Sequence, residues 1–254
     1  MFDYKMIDIQ GVFLYYKIVN NFVNTLLPAW DSMAKKKSGT SLKQKIYKQL
    51  RHDIVFGRIL PGEHLKEARL TNKFQCSRGP VREAFNQLDS EGFLVLLRNQ
   101  GAVVSKTSPE EIADFYAMLE LLEAQAVKWA TPRLEASDIE KLQQINAKIK
   151  RISCEDKGSI EPWSSSNLEF HRLFRKKCGN GQIDRIIEDI RMRITRYRHM
   201  SLLVTAYDEY VLDHEKIIDA VTLGHAEEAG NVMRIHIRRA KNVLMEFLSK
   251  FPGF

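Results

Sequence analysis

The sequence predicts a mainly α-helical chain in two parts, a small basic head that combines helices with one β-hairpin and then a bundle of six or seven helices. Three observations predict it. Apolar residues recur at helical spacing through the segments described below, while strand-like patterning is confined to the stretch around residue 100. Charge is segregated: residues 41–106 carry 12 Lys+Arg against 6 Asp+Glu, and residues 107–254 carry 22 against 23, in a chain of formal net charge +7. Residues 109–250 are poor in Gly and Pro and long enough to enclose a core of their own. The expected division is an N-terminal extension over 1–40, the head over 41–107 and the bundle over 108–250.

Residues 1–32 do not share this plan. They are aromatic and apolar but interrupted by Lys17, Asn20, Asn21 and Asn24, whereas a membrane span wants about 20 clean apolar residues. A secretory signal wants a basic start, and this chain begins Met-Phe-Asp. The segment is expected to be a poorly ordered extension or an upstream start-codon assignment, with Met33 as the alternative start.

In the head, Leu42, Ile46, Leu50 and Ile54 recur every four residues and define a first helix that Gly57 stops. Ile59-Leu60-Pro61-Gly62 turns the chain. Glu67–Phe74 suits a short helix with Leu70 and Phe74 inward. Ser77 is a good N-cap for the next helix, and Pro80 falls in its first turn, where a missing donor costs little. Val81, Ala84, Phe85 and Leu88 form its apolar stripe, and Gly92 ends it. Phe93–Leu97 and Ala102–Ser105 then read as strands joined at Arg98-Asn99-Gln100-Gly101, a tip with the residues tight turns need. Helix, turn, two short helices and a hairpin, in that order, make a winged helix-turn-helix.

Arg78 and Arg82 are four apart and share a face at a helix N-terminus, an arrangement suited to a phosphate or a guanine edge. The candidate DNA contacts are Ser77, Arg78, Gly79 and Arg82 on that helix, Arg69 on the preceding one, and Gln100 and Gly101 at the wing. One winged helix reads few base pairs, so a two-fold homodimer on a palindromic operator is expected.

The bundle helices are marked by Leu119, Leu122, Ala126 and Ala130; by Ile139, Leu142, Ile145 and Ile149; and by Leu168, Phe170, Leu173 and Phe174. Three more cover Ile183 to about Leu203, Val211–Val221 and Ala226–Leu248. Cys154–Trp163, with its Gly and Pro, is expected to be a loop.

Three of the seven histidines fall on separate bundle helices: His171, His214 and His236. Asn167 is one turn before His171, on the same face. Imidazoles meeting inside a bundle would hold a d-block ion, with Asp213 and Glu215 as carboxylates able to orient them. From spacing alone the favoured expectation is three unrelated histidines, each hydrogen-bonded in the core or at the surface, because no compact ligand motif is present. Three widely spaced cysteines without C-x-x-C suit a reduced, cytoplasmic protein.

The run PGEHLKEARLTNKFQCSRGPVREAFNQLDSEGFL…NQGAVVSK resembles the DNA-binding domain of the GntR family of bacterial transcriptional regulators. Gly79 stands where threonine is usual and Thr71 where alanine is usual. The resemblance implies that Arg78 and Arg82 contact the operator, Ser77 contacts phosphate and Gly101 lets the wing tip approach the minor groove. NLEFHRLF…CGN, DHEKIIDAV…GHAEEA and MRIHI resemble the FCD ligand-binding domain of the FadR-like branch. That resemblance implies a divalent metal (Zn, Ni or Mn) held by Asn167, His171, His214 and His236, with a small carboxylate effector beside it. Asn167 takes the place of an aspartate, and Leu119 the place of an arginine that can pair with the effector. Arg193 and Arg196 are the candidate replacement cations.

The expected protein is therefore a regulator, with repression favoured, whose affinity for double-stranded operator DNA follows a small organic acid. The competing expectation is a metal-dependent enzyme on a small organic acid, with an incidental basic head. No acid–base pair is identifiable by spacing.

Overall fold

A computed structural model describes residues 41–55, 57–98, 100–155, 160–202 and 207–250. The expected extension, with Met33, and Asn99 of the hairpin tip lie outside these residues. The chain divides into two compact units, Met1–Ile54 with Arg58–Val104 and Val55–Gly57 with Ser105–Phe254.

The first unit runs α1 (Leu42–Val55), β1 (His64–Leu65), α2 (Glu67–Phe74), α3 (Arg78–Ser90), β2 (Leu94–Leu97) and β3 (Gly101–Val104). Ile46, Leu50 and Ile54 of α1 are buried, as are Val81, Ala84, Phe85 and Leu88 of α3. Leu42, expected in the same stripe, is exposed, and Phe74 is only half-buried. The sheet has three antiparallel strands in the order β1-β3-β2, with Leu65 opposite Ala102 and Leu97 opposite Gly101. Strand β1 was not foreseen, because two residues carry no alternation to read. Gly101 has φ +95°, and a Cβ there would lie 2.2 Å from the Leu65 carbonyl oxygen. Its glycine is therefore required inside the sheet, whatever the wing touches.

The second unit contains α4 (Pro109–Ala130), a 3-10 turn (Thr131–Arg133), α5 (Ala136–Glu155), α6 (Ile160–Lys177), α7 (Gly181–Leu202), α8 (Asp208–Thr222) and α9 (Ala226–Lys250). A reciprocal capping box starts α4: Glu111 N–H donates to Ser108 Oγ at 3.2 Å, and Ser108 N–H donates to Glu111 Oε2 at 2.9 Å. Helix α4 packs most extensively on α9. The two cross closely at Gly230, where a Cβ would meet Lys128 side-chain carbons at 2.6 Å.

The loop expected over Cys154–Trp163 is helix at both ends, since α5 reaches Glu155 and α6 begins at Ile160. Pro162 lies in the first turn of α6, where proline is tolerated, so it starts a helix instead of breaking one. Trp163 is buried there and its Nε1–H donates to Ser153 Oγ at 3.2 Å. Leu168, expected inward, is exposed. The buried face of α6 runs instead through Trp163, Asn167, Phe170, His171, Phe174 and Arg175. That phase puts polar side chains into the core and creates the site described next.

Candidate operator face and candidate metal centre

In the first unit, α3 presents Ser77, Arg78, Gly79 and Arg82 on its exposed side, and Arg69 of α2 and Gln100 are exposed as well. Ser77 is the N-cap residue with extended backbone, but its hydroxyl makes no cap bond. A free hydroxyl at a helix N-terminus suits a phosphate oxygen. Arg78 and Arg69 make no ion pair among the described residues. Arg82 is engaged: its Nε donates to Glu67 Oε1 at 2.9 Å and Oε2 at 3.1 Å. To meet DNA it must share or leave that carboxylate. Open space surrounds Gly79, with nothing within 4 Å of a Cβ built there.

In the second unit, His171 of α6, His214 of α8 and His236 of α9 come together in the core. Their ligand atoms lie within 4.8 Å of one another, and all three are buried. Ring centroids are 4.8 Å apart for His214 and His236, 5.2 Å for His171 and His236, and 5.8 Å for His171 and His214. Phe170 stacks flat on His214 at 3.8 Å, and Tyr210 meets His236 edge-on at 5.4 Å. Asn167 is buried one turn before His171, and both ends of its amide lack a hydrogen-bond partner among the described residues. A buried amide left wholly unpaired is costly unless something absent from the protein satisfies it.

Each imidazole turns its Nδ1 toward an oxygen. Asn146 Oδ1 lies 3.2 Å from His214 Nδ1, and Asn146 Nδ2 donates to the Val211 carbonyl at 3.3 Å, which fixes the amide orientation. Glu123 Oε2 of α4 lies 3.6 Å from His171 Nδ1, and Asp213 Oδ2 lies 3.6 Å from His236 Nδ1. The oxygen at His214 Nδ1 favours the tautomer whose lone pair sits on Nε2, whereas Nδ1 of His171 and of His236 makes no hydrogen bond among the described residues. Nε2 of His171 and of His214 has no hydrogen-bond partner among the described residues.

Burial holds all three rings neutral. His171 is pushed down to about 3 by loss of water and by Arg191 and His236, with Glu123 opposing. His214 falls well below the ordinary histidine value through burial, then through His236 and His171. His236 is lowered by burial against the pull of Asp213. Burial also opposes ionisation of Glu123, but Arg191 and His171 hold its carboxyl well below the usual range. Arg191 Nε and Nη2 donate to Glu123 Oε1 at 2.9 and 2.5 Å. Arg239 Nε donates to Asp213 Oδ2 at 3.0 Å. Three buried imidazoles whose ligand atoms lie within 4.8 Å of one another, with a buried unpaired amide one turn before His171, are a donor set that fits a d-block ion.

Of the two expected effector cations, Arg193 is not at this centre. Arg193 is exposed and lies over the Phe115 ring at 5.9 Å, and the side chain of Arg196 lies outside the described residues. Glu215 is partnered by Lys150 at 3.2 Å and does not orient a histidine. Sequence reasoning missed Glu123, Asn146 and Arg191. Their signal was present: each is a polar residue at a core-facing position, Asn146 beside Ile145 and Arg191 beside Ile190.

The family model described as "Bacterial regulatory proteins, gntR family" matches residues 42–104, and that of the FCD domain matches residues 114–239. The chain belongs to the GntR family, with an FCD domain as its helical part. Among its relatives, the HTH-type transcriptional repressor GlaR of Escherichia coli K12 is 26% identical over 200 residues, covering 75% of this chain and 90% of that protein. The repressor RspR of the same organism is 27% identical over 198 residues, covering 78% of this chain and 86% of its own. The solved structure of E. coli McbR/YncC superposes with TM-score 0.69 at 20% identity, covering 82% of this chain and 99% of that one, a likeness of fold. The chain is thus a GntR-family transcriptional regulator rather than an enzyme, and GntR-family regulators bind DNA operators. No helix among the described residues is long and apolar enough to cross a membrane.

Proposed function

We propose that this GntR-family chain is a cytoplasmic one-component repressor whose affinity for a palindromic operator is set by a small organic acid bound at a divalent metal in the helical domain. The observation that carries the metal reading is the convergence of three buried imidazoles, with Asn167, an amide that has no hydrogen-bond partner among the described residues, one helical turn before His171. A divalent ion at His171, His214, His236 and Asn167 supplies positive charge and open positions for a carboxylate. Leu119 is buried and apolar where an arginine is usual, so in this chain the ion is the main attraction for the acid.

The DNA reading rests on the exposed Ser77, Arg78 and Arg82 at the start of α3, with Arg69 and the wing residues Gln100 and Gly101 beside them in the motif. The repressor sign rests on the relatives named as repressors. The homodimer reading draws on the symmetry of palindromic recognition. It also draws on Met118, Leu121 and Trp129, which leave apolar surface exposed along α4 for a second copy to cover.

Signalling requires that the acid bind two arrangements unequally. Two features suit α4 and α7 to carry it. Glu123 of α4, 3.6 Å from His171, accepts two hydrogen bonds from Arg191 of α7, and Tyr197 of α7 accepts a hydrogen bond from the Thr107 N–H at 2.7 Å, three residues after the wing strand ends. Thermal melting of EDTA-treated and metal-loaded protein against a panel of small carboxylic acids tests this function. An acid should raise the melting temperature of the loaded form alone. Identical melts with and without Zn²⁺ or Ni²⁺ would restore the reading of three core histidines.

A further inference from the structure

We propose that Arg198 of α7, with the hydroxyl of Tyr116 of α4, is a second anchor of the acid pocket, so that the chain selects a dicarboxylic acid over a monocarboxylic one. The inference rests on the function proposed above and names the class of acid. Helices α4 and α7 run in opposite senses: Thr107, just before α4, meets Tyr197, while Glu123, farther along α4, meets Arg191. Tyr116 and Glu123 are both on the buried face of α4, seven residues apart, and Arg191 and Arg198 have the same spacing on α7. That spacing is about two helical turns, so each pair shares a face. The contact between Glu123 and Arg191 therefore carries Tyr116 and Arg198 to the same end of the helix pair.

Neither group is answered there. Tyr116 is 2% exposed, and its hydroxyl has no hydrogen-bond partner among the described residues. Arg198 is half-buried and its guanidinium forms no ion pair or hydrogen bond among the described residues. Loss of water lowers the Arg198 pKa, against the pull of Tyr116, and burial raises that of Tyr116, with Arg198 the first charge to oppose it. An arginine keeps its proton in a protein, so a guanidinium taken from water calls for an anion. The other cations around the centre have theirs, since Arg191 bonds Glu123 and Arg239 bonds Asp213. Leu119, between Tyr116 and Glu123 on the same face, adds no charge. Arg198 also faces the histidine side. Burial raises the Tyr210 hydroxyl and Arg198 is the first charge to oppose it, and the Tyr210 ring meets His236 edge-on at 5.4 Å. A divalent ion on the histidines and a guanidinium on α7 are two positive poles. One carboxylate answers one of them. An acid with a carboxylate at each end answers both, and the Tyr116 hydroxyl donates to the second.

The test uses the full chain and three matched pairs of acids: malonate and propionate, succinate and butyrate, glutarate and valerate. Calorimetry on Zn²⁺-loaded wild type should show at least one dicarboxylate binding roughly tenfold tighter or more than its partner. Arg198→Met should abolish that preference and leave affinity for the monocarboxylate unchanged, Arg198→Lys should keep part of it, and Tyr116→Phe should reduce it. Melting of the EDTA-treated, acid-free protein gives a readout that needs neither ion nor acid. Arg198→Met and Tyr116→Phe each remove a polar group that has no partner, so both should melt at or above the wild-type temperature, whereas a structural role would lower the melt. Wild type that binds each pair equally, or a dicarboxylate preference that survives Arg198→Met, overturns the anchor and leaves the acid at the metal standing. Acid-free melts that fall in both variants overturn the anchor as well. No binding of any acid overturns the anchor and the function proposed above together.

Discussion

His214 and Asn146 form the most fully specified contact of the buried centre: ring Nδ1 and amide Oδ1 are 3.2 Å apart, while the amide nitrogen holds the Val211 carbonyl. Replacing Asn146 with leucine keeps the volume and removes the acceptor. The stranded ring N–H should lower stability by about 1–3 kcal/mol, measured by urea unfolding. Metal affinity should fall about 10–100-fold by calorimetry, because the ring is no longer held in register. Unchanged affinity would mean that Phe170 stacking alone orients His214.

Glu123 and Arg191 are a buried pair, and removing one partner is worse than removing both. Glu123→Gln should cost about 3–5 kcal/mol, since Arg191 is left without its counter-charge. The double variant Glu123→Gln with Arg191→Met should recover most of that loss. Additive losses in the double-variant cycle would show that the two side chains do not interact as described.

On the operator face, Arg78→Ala should cost about 1–3 kcal/mol in binding to the chain's own upstream DNA, if Arg78 reads a base edge. Arg82→Ala should cost less than Arg78→Ala, because the bonds to Glu67 must be given up or shared on binding. Glu67→Gln should accordingly tighten binding, an effect that fades as salt rises. Near-zero effects of both arginine variants in gel shifts at moderate salt would remove α3 from the interface.

Two glycines of the head should behave oppositely. Gly101→Ala forces a Cβ against the Leu65 carbonyl at a left-handed φ and should destabilise the unit by at least about 1–3 kcal/mol. Gly79→Thr meets open space and should leave the melting temperature within a few degrees of wild type. A Gly101→Ala protein as stable as wild type would contradict the described β1–β3 approach.

Much of this was legible in the sequence, and the failures share a cause. The order of elements in the head was readable because turns, caps and apolar stripes are local signals, as at Gly92 and in the stripe Val81–Leu88. The two-residue strand β1 gave no signal because its pairing with β3 is made by distant residues. The three histidines could be placed on three helices by periodicity, but their convergence depends on how α6, α8 and α9 pack, which periodicity does not encode. Arg193, expected as an effector contact, is exposed for a reason of helical phase. The inner face of α7 passes through Ile187, Ile190, Arg191 and Ile194, which puts residue 193 on the far side. Charged residues on that inner face were the better guide, because a buried charge needs a partner and Arg191 has Glu123.

The measurement that tests the central claim most directly is the affinity of the full chain for its own upstream DNA across a panel of small organic acids, in metal-loaded, EDTA-stripped and His214→Ala protein. At least one acid should shift the loaded wild type by about 5–150-fold, the range of a coupling of roughly 1–3 kcal/mol, and should shift neither the stripped protein nor His214→Ala. An acid effect of equal size in His214→Ala would contradict control through the histidine centre.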